Sequence, residues 1–138
     1  MNSGILMEMT LDEVRALNPE VVVLGVGSVE PHGPALPYGT DTYQAEGLIR
    51  AGVTLANARG ARALMYPTLS VGNNVNFKAF PFACRIGVET LMHTLVDIFT
   101  ARREDGIRKI VGVMGHGGNT DASRAAFRAY VDRTRDGE

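Results

Sequence analysis

Four side chains in two separate stretches have the types to hold a metal ion together: Glu30, His32 and Asp41 in SVEPHGPALPYGTD, and His116 in MGHGGN. Carboxylate and imidazole donors without a thiolate suit zinc, manganese or iron and leave magnesium possible; nothing in the spacing selects among them. A divalent ion held by such donors lowers the pKa of a bound water and polarises a carbonyl. Attack by metal-bound hydroxide, and therefore hydrolysis, is the reaction class to expect.

Each residue also has a plainer reading. Glu30 and His32 are two apart, so an extended chain through Pro31 projects both side chains to one side, but glutamate and histidine are common in exposed loops. Pro31, Pro34 and Pro37 stiffen the segment and reduce the entropy lost in ordering it. Asp41 stands where a helix begins, and a helix N-cap weighs equally with a ligand there. His116 follows an apolar run directly and is flanked by Gly115, Gly117 and Gly118, which let backbone turn sharply and approach a ligand. His93 is the contrast: it falls on the polar face of a helix and is expected to be solvated.

The surrounding elements must bring these residues to one place. Thr10 and Glu13 have capping-box spacing at the head of TLDEVRAL, a short helix that Asn18-Pro19 stops. The run VVVLGV at 21–26 is apolar almost without a break, as in a parallel strand covered on both faces. A helix is expected from Asp41 or Thr42 to about Ala58, with Ala45, Leu48, Ile49, Gly52, Leu55 and Ala56 on its packed face and Gly60 as its stop. A second strand lies in ARALMYPTL, ended by Pro67. The long loop VGNNVNFKAFPFACRIG then reads as a site wall.

The clearest helical period is in GVETLMHTLVDIFTARRE, where Val88, Leu91, Met92, Leu95, Val96 and Phe99 share a face. A third strand, KIVGVM, ends at GHGGN, and an alanine-rich helix at about 120–132 precedes the polar end DRTRDGE. Alternating strand and helix imply a layered α/β/α fold with a mainly parallel sheet and right-handed crossovers. Ligands in such sheets gather beyond the carboxyl ends of the strands, where both EPHG and GHGG fall.

The 138 residues carry 14 basic and 15 acidic side chains and a net charge of −1, the profile of one globular domain with no electrostatic footprint for nucleic acid. No apolar run is long enough to span a bilayer and no leader pattern opens the chain, so a cytoplasmic protein is expected. The single cysteine, Cys84, excludes an intrachain disulfide and is expected to be a small buried hydrophobe. GVGSVE has Glu30 where a dinucleotide fingerprint needs its third glycine, GHGGNT lacks the P-loop lysine, and no GxSxG elbow is present.

Taken in order, VGSVEPHGPALPYGTD and the later GHGGN resemble the paired motifs of the creatininase family of metal-dependent amidohydrolases. There the first motif runs Gly-Ser-x-Glu-Gln-His-Gly through Leu-Pro to Thr-Asp, and the second is Asn-Gly-His-Gly-Gly-Asn. The resemblance implies that Glu30, His32, Asp41 and His116 ligate up to two divalent ions, zinc or manganese foremost. Asp41 would bridge them, with His32 on one ion and Glu30 with His116 on the other.

The resemblance further implies hydrolysis of a C–N bond in a small cyclic or linear amide, or of a cyclic ketone derived from a sugar or inositol. Candidate substrate contacts are Asn74, Asn76 and Lys78 in the long loop, with Gly117, Gly118 and Asn119. No residue stands out as the general acid. Family members are much longer, with a further carboxylate ligand in their second half. Pro31, Ala35, Met114 and Gly118 stand where glutamine, histidine, asparagine and, in creatininase itself, glutamate are usual. These 138 residues are therefore expected to be the amino-terminal piece of a longer protein, or part of a site completed by another chain. A non-catalytic metal-binding module that assembles with a partner is the competing expectation. A missing half should expose a sheet edge or apolar patch, so self-association into a homo-oligomer is expected.

Overall fold

The central strand is the one the valine run specifies. In the computed structural model, which describes residues 3–134, β1 (Val21–Val26) lies between β2 (Ala63–Leu69) and β3 (Lys109–Met114), and both pairings are parallel. Alternation along β1 divides the core. Leu24 and Val26 point to a cluster built with α3 (Val88–Glu104) and α4 (Thr120–Thr134), centred on Leu91, Leu95, Val96, Phe99 and Ala126. Val21 and Val23 pack towards α2 (Thr40–Ala58), against Ile49, Val53, Met65 and Ile5. Three layers follow, α2 over one face and α3 with α4 over the other. Val22, Leu24 and Val26 are each no more than 1% exposed, and burying such a side chain contributes about 1.5–3 kcal/mol.

The short α1 (Leu11–Leu17) has the expected cap: Thr10 accepts from the Glu13 amide, Glu13 accepts from the Thr10 amide at 2.7 Å, and Asn18 closes the helix in the left-handed region. Three expectations are corrected. β2 does not end at Pro67 but runs to Leu69, because it is an edge strand and the register with β1 shifts there, so the missing N–H breaks no ladder. The packed face of α2 is Thr42, Ala45, Ile49 and Val53, while Leu48, Gly52 and Leu55 are exposed; the apolar residues of this helix cover more of its circumference than one sheet face can bury. Cys84 is half-buried within a loop rather than in a core.

Beyond Lys109, β3 is as apolar as β1 but far less covered. Its outer edge carries no strand among the described residues, Val111 is 47% exposed, and Val131 on the neighbouring α4 is equally exposed. Among the described residues no helix is long and apolar enough to cross a membrane. The polar segment 135–138 lies outside the described residues.

Candidate metal centre

The parallel register aligns the carboxyl ends of β1 and β3 side by side, so the loops after Val26 and Met114 leave the sheet together. Between them sits the first turn of α2. Contact there is close: a Cβ on Gly115 would collide with the Asp41 carbonyl, and one on Gly27 would lie 2.6 Å from the Thr42 Cα. Thr42 also ties α2 to the strand end by donating its hydroxyl to the Ser28 carbonyl at 2.9 Å. Only glycine at these two positions lets the helix seat Asp41 over the sheet edge.

The proline-rich loop closes on itself through the Glu30 amide donating to the Tyr38 carbonyl (3.0 Å) and a bridge between His32 and Leu36. Gly33 makes its turn at φ +72°. Glu30, His32 and Asp41 thereby present ligand atoms all within 4.8 Å of one another. His116 joins from the other loop, its Nδ1 lying 3.2 Å from Glu30 Oε1 and 3.1 Å from Asp41 Oδ2. Glu30, Asp41 and His116 are buried and His32 half-buried. His93 is exposed on α3, away from this group.

Asp41 does not cap its helix. Gly39 holds the N-cap position without a side-chain bond, and Asp41 lies inside the first turn. Its two oxygens face different imidazoles, Oδ1 towards His32 Nε2 at 2.9 Å and Oδ2 towards His116 Nδ1. A carboxylate disposed in this way can join two cation positions.

Each imidazole is held by a backbone carbonyl on its far side. His32 Nδ1–H donates to the Glu30 carbonyl at 3.0 Å and His116 Nε2–H to the Asn73 carbonyl at 3.2 Å. In the neutral form these bonds choose the tautomer and turn the other nitrogen, His32 Nε2 or His116 Nδ1, into a bare lone pair aimed at the carboxylates. Lone pairs facing carboxylate oxygens repel unless a cation or proton lies between them. Two carboxylates at this separation add on the order of 3–4 kcal/mol of repulsion at the effective dielectric of a partly buried site. Glu30 Oε2 and Asp41 Oδ2 are moreover buried without a hydrogen-bond partner. Two nitrogens and two carboxylates, short of positive charge and with orphaned oxygens, fit a divalent ion.

The same crowding appears in the proton affinities. Burial pushes the Glu30 carboxyl above its ordinary value, against the pull of His116 and with the Asp41 charge adding to the rise. For His32, burial would lower the value, but the hydrogen bonds to the Glu30 carbonyl and to Asp41, with the charges of both carboxylates, raise it.

Of the candidate substrate contacts, Asn74 and Asn119 are 1% and 0% exposed. Asn74 donates to the Cys84 carbonyl and the Ser28 hydroxyl; Asn119 donates to the Gly27 carbonyl and accepts from the Asn73 amide. These side chains stand behind the site and bind its loops together. The Ser28 hydroxyl is taken up in the same network, so it is no free nucleophile. Asn76 and Lys78 are exposed on the loop. A Cβ on Gly118 would collide with His116 Nε2 and come within 2.6 Å of the Asn73 carbonyl, so this glycine keeps room for the imidazole and its anchor. Asn73 is the residue that reading the sequence missed. It acts through a carbonyl, which has no side-chain signature.

A profile of the creatininase family, described as creatinine amidohydrolase, matches residues 7–138. The chain is 36% identical over 117 residues to a mycofactocin precursor peptide peptidase of Mycolicibacterium smegmatis, covering 84% of this chain and 47% of that protein. It is 32% identical over 138 residues to the protein of that name from Mycobacterium tuberculosis, covering 96% and 54%. The chain thus spans about half the length of the curated relatives it matches. A solved structure from Bacteroides fragilis that carries the creatinine amidohydrolase name superposes with a TM-score of 0.88 at 29% identity, over 99% of this chain and 54% of that one. Two solved creatininases, one described as Zn-Zn type and one as Mn, share the fold at TM-scores of 0.83 and 0.81 with 24% identity, over 98% and 96% of this chain and 54% and 53% of theirs.

Proposed function

This chain belongs to the creatininase family, and from that membership we propose that it forms the metal-binding half of a hydrolase that cleaves a C–N amide bond. The observation that carries this reading is the convergence of Glu30, His32, Asp41 and His116 with two orphaned carboxylate oxygens and two imidazoles held from behind. Asp41 would be the ligand shared by two cation positions, with His32 at one and Glu30 with His116 at the other. Zinc or manganese is favoured by the mixed imidazole and carboxylate donor set and by the metals named for the solved neighbours. Such an ion supplies a polarised carbonyl and a more acidic water. The chain's own contribution is to hold four donors rigidly, keep both imidazoles in the ligating tautomer, and place the open NNVNFKAFPF loop beside them.

Relatives named for peptidase action on a precursor peptide favour a linear amide over a cyclic one. The chain purified without chelator is expected to carry about two equivalents of metal. His32→Ala and His116→Ala should each lose metal while His93→Ala keeps it; equal retention by all three variants ends the site assignment. Release of free amine from N-acetyl dipeptides, abolished by His116→Ala, separates a hydrolase from a module that only binds metal.

The bare β3 edge, with the exposed Val111 and Val131, supports completion by another polypeptide and, for the isolated chain, self-association. Sedimentation at micromolar concentration should show dimers or larger species. A clean monomer would count against it.

A further inference from the structure

Linked to the candidate metal centre through Asn73 lies a cavity of about 420 Å³ lined by Asn73, Val75, Lys78, Arg85, Ile86 and Gly87. Its size falls within the range of small-molecule sites. Two of its six lining residues are cationic and none is a carboxylate. Among the described residues neither Lys78 nor Arg85 takes part in an ion pair, although the chain as a whole has slightly more acidic than basic groups.

The cavity is built on a braced frame. Segments 72–74 and 84–86 are joined by the Gly72–Arg85 bridge and by the Ile86 amide donating to the Gly72 carbonyl at 3.0 Å. Side-chain amides add to this: Asn73 donates to the Ile86 carbonyl and Asn74 to the Cys84 carbonyl. The backbone that carries Arg85 is therefore held before any ligand arrives, which lowers the ordering cost of binding. Asn73 connects cavity and centre, since it lines the one while its carbonyl holds the His116 imidazole of the other.

We propose that this cavity is an anion subsite of the hydrolase, in which Arg85 and Lys78 hold a carboxylate of the amide substrate. The guanidinium fork suits bidentate pairing with a carboxylate, and the lysine adds a mobile point charge. The subsite rests on the hydrolase reading and narrows it: amides bearing a free carboxylate near the scissile bond are preferred to neutral ones.

The test uses the metal-loaded chain and two probes, N-acetyl-glycyl-glycine and its carboxamide, with inorganic phosphate as a third arm. Calorimetry should show the acid binding at least about tenfold more tightly than the carboxamide, the scale of one charge-assisted pair. Lys78→Ala and the milder Arg85→Gln should each shrink that difference, and together remove it, with metal content unchanged. No preference in the wild-type chain, or a preference untouched by both substitutions, overturns the proposal. Phosphate that binds while the acid does not also overturns it, making the cavity a free-anion site. A chain that releases amine from both probes at equal rates refutes the subsite and leaves the hydrolase standing. A charge-dependent preference without turnover has the opposite meaning.

Discussion

Asp41→Asn is expected to remove metal from both halves of the site at once, leaving the fold in place. The substitution conserves shape, so the first turn of α2 keeps its contact with Gly115 and Gly27. It deletes the charge that faces both His32 and His116, and no other carboxylate in the group reaches both imidazoles. Even residues that merely orient a ligand cost 10–100-fold in metal affinity when altered, so the loss here should be at least about hundredfold. Metal analysis and competition with a chromogenic chelator measure it, and circular dichroism checks the fold. An Asp41→Asn variant that keeps the wild-type metal complement would show that Asp41 is no ligand. His116→Ala, by comparison, should leave the His32 position partly occupied.

The second large effect is on pH. Glu30 and His32 both bind protons more tightly in the folded, metal-free chain than they ordinarily do, Glu30 chiefly through burial and His32 because its hydrogen bonds and carboxylate neighbours outweigh burial. For folding, both shifts have one sign. Their stabilisation is complete below the ordinary values, about 4.5 for Glu30 and about 6.5 for His32, and is lost as pH rises through each raised folded value. For metal, the same protons are competitors. Affinity should fall about tenfold per pH unit for each proton displaced as pH drops below the raised His32 value. The increase in melting temperature produced by zinc over chelator should therefore be small at about pH 5.5 and large at about pH 8. Equal increments at the two pH values would mean that neither group is displaced by the ion.

Much of the frame was legible because its determinants are local. An unbroken valine run reports a strand covered on both faces, and the Thr10–Glu13 spacing reports a helix start, since each depends only on neighbours within a turn. The face of α2 was less legible. Leu48 and Leu55 are as apolar as Ile49, and which of them the sheet covers depends on where Gly27 and Gly115 let the helix dock. Pro67 misled for a related reason: a proline ends a central strand but is tolerated at an edge, and edge position is set by strand order.

At the site, residue type together with local setting marked Glu30, His32 and His116 as candidate ligands, left Asp41 between a ligand and a helix cap, and set aside His93 on its polar helix face and Cys84 as a small hydrophobe. The tertiary structure alone decided that Asp41 faces two imidazoles instead of capping α2, that Asn74 and Asn119 bind loops from behind, and that carbonyls of Glu30 and Asn73 set the two histidine tautomers. The physical reason is one of range. Donor type is a property of a side chain, and helix or strand period a property of its neighbours, but convergence requires two strand ends brought level by a parallel register, and a backbone carbonyl is the same whatever residue carries it.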